Sequence, residues 1–211
     1  MKGPENTQKP SDSVNVMKNE IEAKFLSVDR ENIRSTLKSQ GFECHVPEYL
    51  MKRKTFDFSK VAPGLNRWGR VRQESGKVTM TIKEVRGKGI NDTFEVELEV
   101  NDFETASAFF EACNITEKAF QENLREVWIK DDVQVTIDTW PGLQPFIEIE
   151  AENEGLVRNC AQSLGQEFGN AVFGSIDLVY EKELGIPAAV LTRLPKITFD
   201  NPPKAPDKSG V

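Results

Sequence analysis

Apolar and polar positions alternate along much of the chain, and that period of two predicts strands. Near the start, Glu20, Glu22 and Lys24 fall on one face of a strand over 19–27, with Ile21, Ala23 and Phe25 on the other. Asp29 then caps a helix that runs to Ser39, with Gly41 as its stop. Alternating stretches follow over 48–58, 67–74, 77–85 and 92–100, and Ser75-Gly76 joins the second and third as a hairpin. Asp102 or Thr105 caps a short helix to Ala112. Strands return over 124–130, 133–139 and 145–151, with Asp131-Asp132 as a turn. Asn153 opens a helix to about Phe168, a helical turn or two covers 175–184, and one more apolar stretch spans 188–199. Residues 1–17 read as a disordered polar leader and 201–211 as a disordered tail, leaving a single domain over 18–200. About eight antiparallel strands with a few helices predict an α+β, mainly β fold: a barrel with helices packed outside.

The polar faces carry an unusual distribution of charge. Arg70 and Arg72 project together, as do Lys77, Thr79, Thr81 and Lys83. Glu95, Glu97 and Glu99 share a face, as do Glu148 and Glu150, and Asp138 ends the row Gln134, Thr136, Asp138. On a single strand such alternation is the ordinary mark of a sheet with one solvated face. Here acids and bases are segregated by strand, and Glu-x-Glu recurs at Glu20, Glu95 and Glu148. Like charges at this spacing repel unless a counter-ion binds. The opposite faces, rich in Ile, Val and Phe, suit burial under helices, which leaves the charged faces to line a wet interior. The pattern is that of a charged tunnel, with basic rows to grip an anion and acidic rows to hold metal.

Composition narrows the choice of ligand. With 211 residues and a formal net charge of −7, the chain can bury a core, and broad binding to nucleic acid is not expected. No apolar run reaches the roughly 18 residues of a membrane span, and the N-terminus lacks a secretory apolar segment. Cys44, Cys113 and Cys160 are far apart and odd in number, which argues against disulfides or a zinc site and fits a reducing cytoplasm. His45 is the only histidine, which argues against a multi-histidine metal site or a histidine-based triad, and His45 itself reads as a surface residue.

Taken in order, Glu20-x-Glu22-x-Lys24, Phe56-Asp57, Arg70-x-Arg72, Thr81-x-Lys83, Glu95-x-Glu97, Arg125, Asp138 and Glu148-x-Glu150 resemble the signature of the CYTH superfamily. That superfamily, also called triphosphate tunnel metalloenzymes, takes its name from class IV adenylate cyclases and thiamine triphosphatases. Any one element is weak, but the ordered set is specific because several independent strands must agree. The resemblance implies an eight-stranded antiparallel tunnel that binds a triphosphate with Mg²⁺ or Mn²⁺. It implies Lys24, Arg70, Arg72, Lys83 and Arg125 as phosphate ligands. It implies Glu20, Glu22, Asp138, Glu148 and Glu150 as metal ligands, direct or through water, with Glu95 and Glu97 completing the acidic side of the substrate site. Glu20, Glu22, Lys24 and Lys83 would form the catalytic centre. Two departures stand out: Asn123 occupies a position where a second basic residue is usual, with Lys130 as a substitute, and Thr55-Phe56-Asp57 replaces Tyr-Phe-Asp.

The chemistry fits these residue types. Arginine forks match phosphate oxygens bidentately, and carboxylates are hard ligands suited to Mg²⁺ or Mn²⁺. Phosphoryl transfer needs positioning and charge neutralisation more than covalent help. No GxxxxGK[ST] loop is present, so a P-loop architecture is not supported. The leading reading is a metal-dependent hydrolase of inorganic triphosphate, a nucleoside triphosphate or thiamine triphosphate. A class IV adenylate cyclase making cyclic AMP and pyrophosphate from ATP is the runner-up, and a non-catalytic triphosphate or nucleotide sensor is the third. The expected partner is a small-molecule triphosphate, with no nucleic acid or membrane; a homodimer is compatible with this reading. Trp68 and Trp140 read as packing residues or as stacking partners for an organic group, and Lys182 as part of a solvated helix face.

Overall fold

The computed structural model describes residues 17–205, so the expected leader, apart from Met17, and the end of the expected tail lie outside the described residues. The chain runs through β1 (Lys18–Glu20), β2 (Glu22–Phe25), α1 (Arg30–Ser39), β3 (Glu43–Asp57), β4 (Arg67–Gln73), β5 (Val78–Val85) and β6 (Thr93–Val100). It continues through α2 (Phe103–Ala112), β7 (Thr116–Lys130), β8 (Val133–Thr139), β9 (Phe146–Ala151), α3 (Glu154–Ser163), α4 (Ile176–Leu184), α5 (Ala188–Leu191) and β10 (Lys196–Ile197).

The strands form one sheet in the order β1-β6-β5-β4-β3-β7-β8-β9-β2. β1 and β2 belong to one extended segment broken at Ile21, so the first and last strands of this path are continuous in the chain and the sheet nearly closes. Counting that segment once gives the expected eight strands; counted separately, nine lie on the path. β10 is a short addition, parallel to β7. The break has a simple cause. β1 pairs with β6 and β2 with β9, and the chain changes partner where the Ile21 carbonyl accepts from the Ala151 N–H.

Apolar side chains face outward, toward the helices. Ala23, Phe25, Val135, Ile137, Ile147 and Ile149 pack against Ile33 and Leu37 of α1 and Val157, Cys160 and Ala161 of α3. Phe56, Phe58 and Val71 meet Ala106 and Phe110 of α2. A third cluster joins Trp140 and Phe146 to Val179, Tyr180, Leu191 and Ile197 of the C-terminal segment. Fully burying one such side chain stabilises the fold by about 1.5–3 kcal/mol, so three outer clusters can hold a barrel whose interior is polar. Gly69 on β4 lets α2 approach closely, since a Cβ there would lie 2.9 Å from the rings of both Phe58 and Phe110. Gly76, at φ +85°, makes the β4–β5 hairpin turn that the sequence predicts.

The helix starts follow the predicted caps. Asp29 accepts from the Asn32 N–H at 2.7 Å, Asn153 from the Leu156 N–H at 3.0 Å, and Asp102, in preference to Thr105, from the Thr105 N–H at 2.7 Å. Element ends differ more. β3 begins at Glu43, ahead of the expected 48, and irregular register between Cys44 and Tyr49 hides the alternation there. β7 begins at Thr116, ahead of 124, because its first half is held by pairing to β3 along its whole length. α3 stops at Ser163, short of Phe168, where Gly165 turns the chain at φ +72°. Of the expected tail, residues 201–205 are described, and Pro203 is buried.

Candidate active site in the tunnel

Inward-facing side chains of all eight strands enclose a cavity of about 550 Å³. The alternation that sends Ile21, Ala23 and Phe25 outward sends Glu20, Glu22 and Lys24 inward, and the Ile21 break does not disturb that parity. Cross-strand register then stacks the charged rows. Lys24 lies opposite Glu148 and Glu22 opposite Glu150, while Arg70, Thr81 and Glu97 align across β4, β5 and β6.

One wall is acidic. Carboxylate oxygens of Glu20, Glu22 and Glu150 all lie within 4.8 Å of one another. Burial, then the neighbouring charges of Glu20 and Glu22, push the Glu150 carboxyl up to about 7. Burial also raises Glu22, against the opposing pull of Lys24. Two ammonium groups reach into this cluster: Lys83 Nζ donates to Glu20 at 2.6 Å, and Lys24 Nζ donates to Glu22 at 2.5 Å and lies 3.3 Å from Glu148. Burial opposes the charge on Lys24, but Glu148 and Glu22 more than offset it and raise the pKa. Three hard, mutually repelling carboxylates suit a divalent cation of the Mg²⁺ or Mn²⁺ kind.

The remaining predicted acids sit elsewhere. Asp138 is fully buried, accepting from Arg125 at 2.8 Å, Asn123 at 2.7 Å and Thr136 at 2.8 Å. Glu148 accepts from Arg125 at 2.6 Å, and Lys24 and Arg125 together hold its carboxyl below the usual range despite burial. These two acids therefore flank Arg125 and do not join the Glu20–Glu22–Glu150 group. Glu95 lies 3.4 Å from Lys83, and Glu97 accepts from Thr81 at 2.8 Å; Glu99 is exposed.

The facing wall is basic. Arg70 approaches Glu97 at 3.5 Å, and Arg72 pairs with Glu74 at 2.5 Å and Glu97 at 3.4 Å. The Nε–H groups of Arg70 and Arg72 are buried and lack an acceptor among the described residues. Burial and Arg72 both disfavour the Arg70 charge. A cavity with acids on one side and open guanidinium donors on the other can hold a polyanion between a metal and the arginines.

Sequence reasoning missed Arg53, which also faces the cavity. It lies in the basic run Lys52-Arg53-Lys54, which looks like a solvated strand. Parity could have found it: Phe56 and Phe58 face outward into a core, so 53, 55 and 57 must face inward. Lys130, the proposed substitute for a base at Asn123, lies outside the tunnel, where its Nζ donates to the Gln40 carbonyl at 2.8 Å. It is Arg53 that donates to the Asn123 side chain. Trp140 is buried beneath Arg53 and packs in the C-terminal cluster, and both it and Trp68 line the cavity. Lys182 is exposed and His45 is exposed; Cys44, Cys113 and Cys160 are free thiols.

A nearly closed antiparallel tunnel, apolar outside and split into acidic and basic walls inside, defines a class of charged β-tunnel proteins. The chain belongs to the CYTH family, whose domain model matches residues 18–168. It is 27% identical over 137 residues to a Methanocaldococcus jannaschii protein provisionally named adenylate cyclase MJ0240, covering 62% of this chain and 75% of that one. Among solved structures, a Vibrio parahaemolyticus protein provisionally named an adenylate cyclase superposes with a TM-score of 0.64 at 13% identity, covering 78% of this chain and 98% of that one. HpAC1 from Hippeastrum, provisionally named an adenylyl cyclase and described as having a dominant triphosphatase activity, superposes with a TM-score of 0.52 at 14% identity, covering 77% of this chain and 95% of that one. Both superpositions show the shared fold. No helix among the described residues is long and apolar enough to cross a membrane.

Proposed function

We propose that the chain is a divalent-metal-dependent hydrolase of a triphosphate, whether inorganic, nucleoside or thiamine triphosphate. One observation carries the reading: the Glu20–Glu22–Glu150 cluster and the open Arg70 and Arg72 donors line the same cavity. Mg²⁺ or Mn²⁺ held by the acidic group would neutralise phosphate charge and acidify an attacking water. Arg70, Arg72 and Arg125 bind and align the phosphate chain through fixed forks, and their charge favours a transition state with negative charge spread over phosphate oxygens. Lys24 and Lys83, tethered to carboxylates, hold positive charge beside the acidic group and can turn toward a bound phosphate.

A second reading, class IV adenylate cyclase, is favoured by the name of the M. jannaschii relative. It uses the same grip, with the ribose 3′-hydroxyl as nucleophile and pyrophosphate as leaving group. A substrate panel with Mg²⁺ and Mn²⁺ separates the two. Orthophosphate released from inorganic triphosphate supports the hydrolase. Cyclic AMP with pyrophosphate from ATP replaces it, and binding without either product leaves a sensor.

A further inference from the structure

Arg53 is 7% exposed, yet no carboxylate among the described residues lies within ion-pairing distance of it. Arg67, Arg70, Arg72 and Arg125, the other arginines that line the cavity, each have one. Its partners are neutral: the Asn123 amide oxygen, the Met51 sulfur at 3.0 Å and the Trp140 ring, whose centroid lies 4.5 Å from the guanidinium carbon. Its Nε–H is buried with no acceptor. A buried cation without a counter-charge is costly, and a chain that needed only packing here would do better with an apolar side chain. Burial and the neighbouring charges of Arg70, Arg125 and Arg72 all act against the Arg53 charge.

Position gives this isolation a meaning. In the strand order, β3 lies four steps from β1 and four from β2, so Arg53 stands across the tunnel from Glu20 and Glu22. Its register neighbours are Arg72 on β4 and Gln121 on β7. We infer that Arg53 is an additional anion-binding residue of the tunnel, which takes a phosphate group of the substrate on the wall opposite the acidic cluster. This rests on the triphosphate reading above. Arg53 supplies from β3 the positive charge that Asn123 does not supply from β7, and Asn123 and Trp140 hold the guanidinium in place.

The inference sets stability and binding against each other. Removing a structural arginine lowers both. Removing Arg53 relieves repulsion in the empty tunnel and weakens ligand binding. The test is calorimetric titration of inorganic triphosphate with Mg²⁺ into wild type, Arg53→Gln and Arg53→Lys, beside melting curves without ligand. Arg53→Gln should bind about tenfold to a hundredfold more weakly, the loss of a charge-assisted contact, while melting at the same or a higher temperature. Arg53→Lys should recover part of the affinity, since lysine keeps the charge without the fork. Wild-type affinity in Arg53→Gln would overturn the inference, and so would a lower melting temperature or failure to fold. If wild type itself takes up no triphosphate, the triphosphate reading fails first, and the two failures are distinguishable.

Discussion

On the β1/β2/β9 wall, Lys24 and Lys83 reach into the carboxylates and neutralise part of their charge from within the protein. On the β3/β4 wall, three guanidinium groups retain buried Nε–H donors with no acceptor, and Arg53 has no acid partner among the described residues. Both walls are built from the same alternating strands, and both bury charge. They differ in what they leave open: the acidic wall leaves clustered oxygens that repel one another, and the basic wall leaves directed donors. Such a pair is complementary to a metal-bound polyanion, not to an apolar or cationic ligand. The contrast also explains why the fold must be held from outside, since neither wall offers a hydrophobic interior.

The acidic wall should be the easier to break. Glu22→Gln or Glu150→Gln is expected to cut turnover by about a hundredfold or more and to move the metal requirement to higher concentration, in line with losing a ligand contact at a metal site. Steady-state rates across a Mg²⁺ titration read both effects. Turnover within a factor of two of wild type would place metal binding elsewhere.

Breaking the basic wall should cost less. Arg72→Ala is expected to raise KM about tenfold to a hundredfold, and Arg72→Lys should not fully restore it, because lysine lacks the second donor of the fork. If both variants keep wild-type KM, Arg72 does not touch the substrate.

Bringing the walls together through a ligand should stabilise the fold. A ligand bound only by the folded state contributes about 2.7 kcal/mol at a hundredfold excess over Kd. Triphosphate with metal should therefore raise the melting temperature by several degrees, diphosphate by less and monophosphate little. Equal shifts for ATP and AMP would point to recognition of the base.

The smallest effect sharpens the acidic side alone. Glu150 is raised to about 7 from an ordinary 4.5, so the folded protein holds a proton that the unfolded chain has already lost. Its contribution to metal-free stability is full below pH 4.5 and is lost as the pH rises through 7. In chelator, the melting temperature should fall across that window, and Glu150→Gln should flatten that part of the slope. Metal affinity should rise over the same window as the proton leaves. A pH profile unchanged by the substitution would mean that Glu150 does not carry this proton.

Much of this was legible in the chain because a period of two survives in sequence. The rows at Glu20, Arg70, Glu95 and Glu148 predicted both the barrel and its charged face, and the family they resemble is the family whose model matches. Legibility failed where alternation was interrupted. The irregular register near Val46 concealed the start of β3, and Gly165 ended α3 earlier than its apolar pattern suggests. Within the site, the sequence grouped five acids as metal ligands, whereas the fold gathers Glu20, Glu22 and Glu150 and leaves Asp138 and Glu148 with Arg125. Which carboxylates converge depends on side-chain reach across strands distant in sequence, and no local pattern encodes it. Arg53 escaped notice for a similar reason, since its isolation from acids is visible only once β3 faces β1 and β2.

If metal and triphosphate meet between the two walls, phosphate release from inorganic triphosphate must depend on the metal. Turnover should vanish in thorough chelation and return on adding Mg²⁺ or Mn²⁺ to the same sample. Undiminished turnover in chelator, or no turnover of any triphosphate with either metal present, would contradict it.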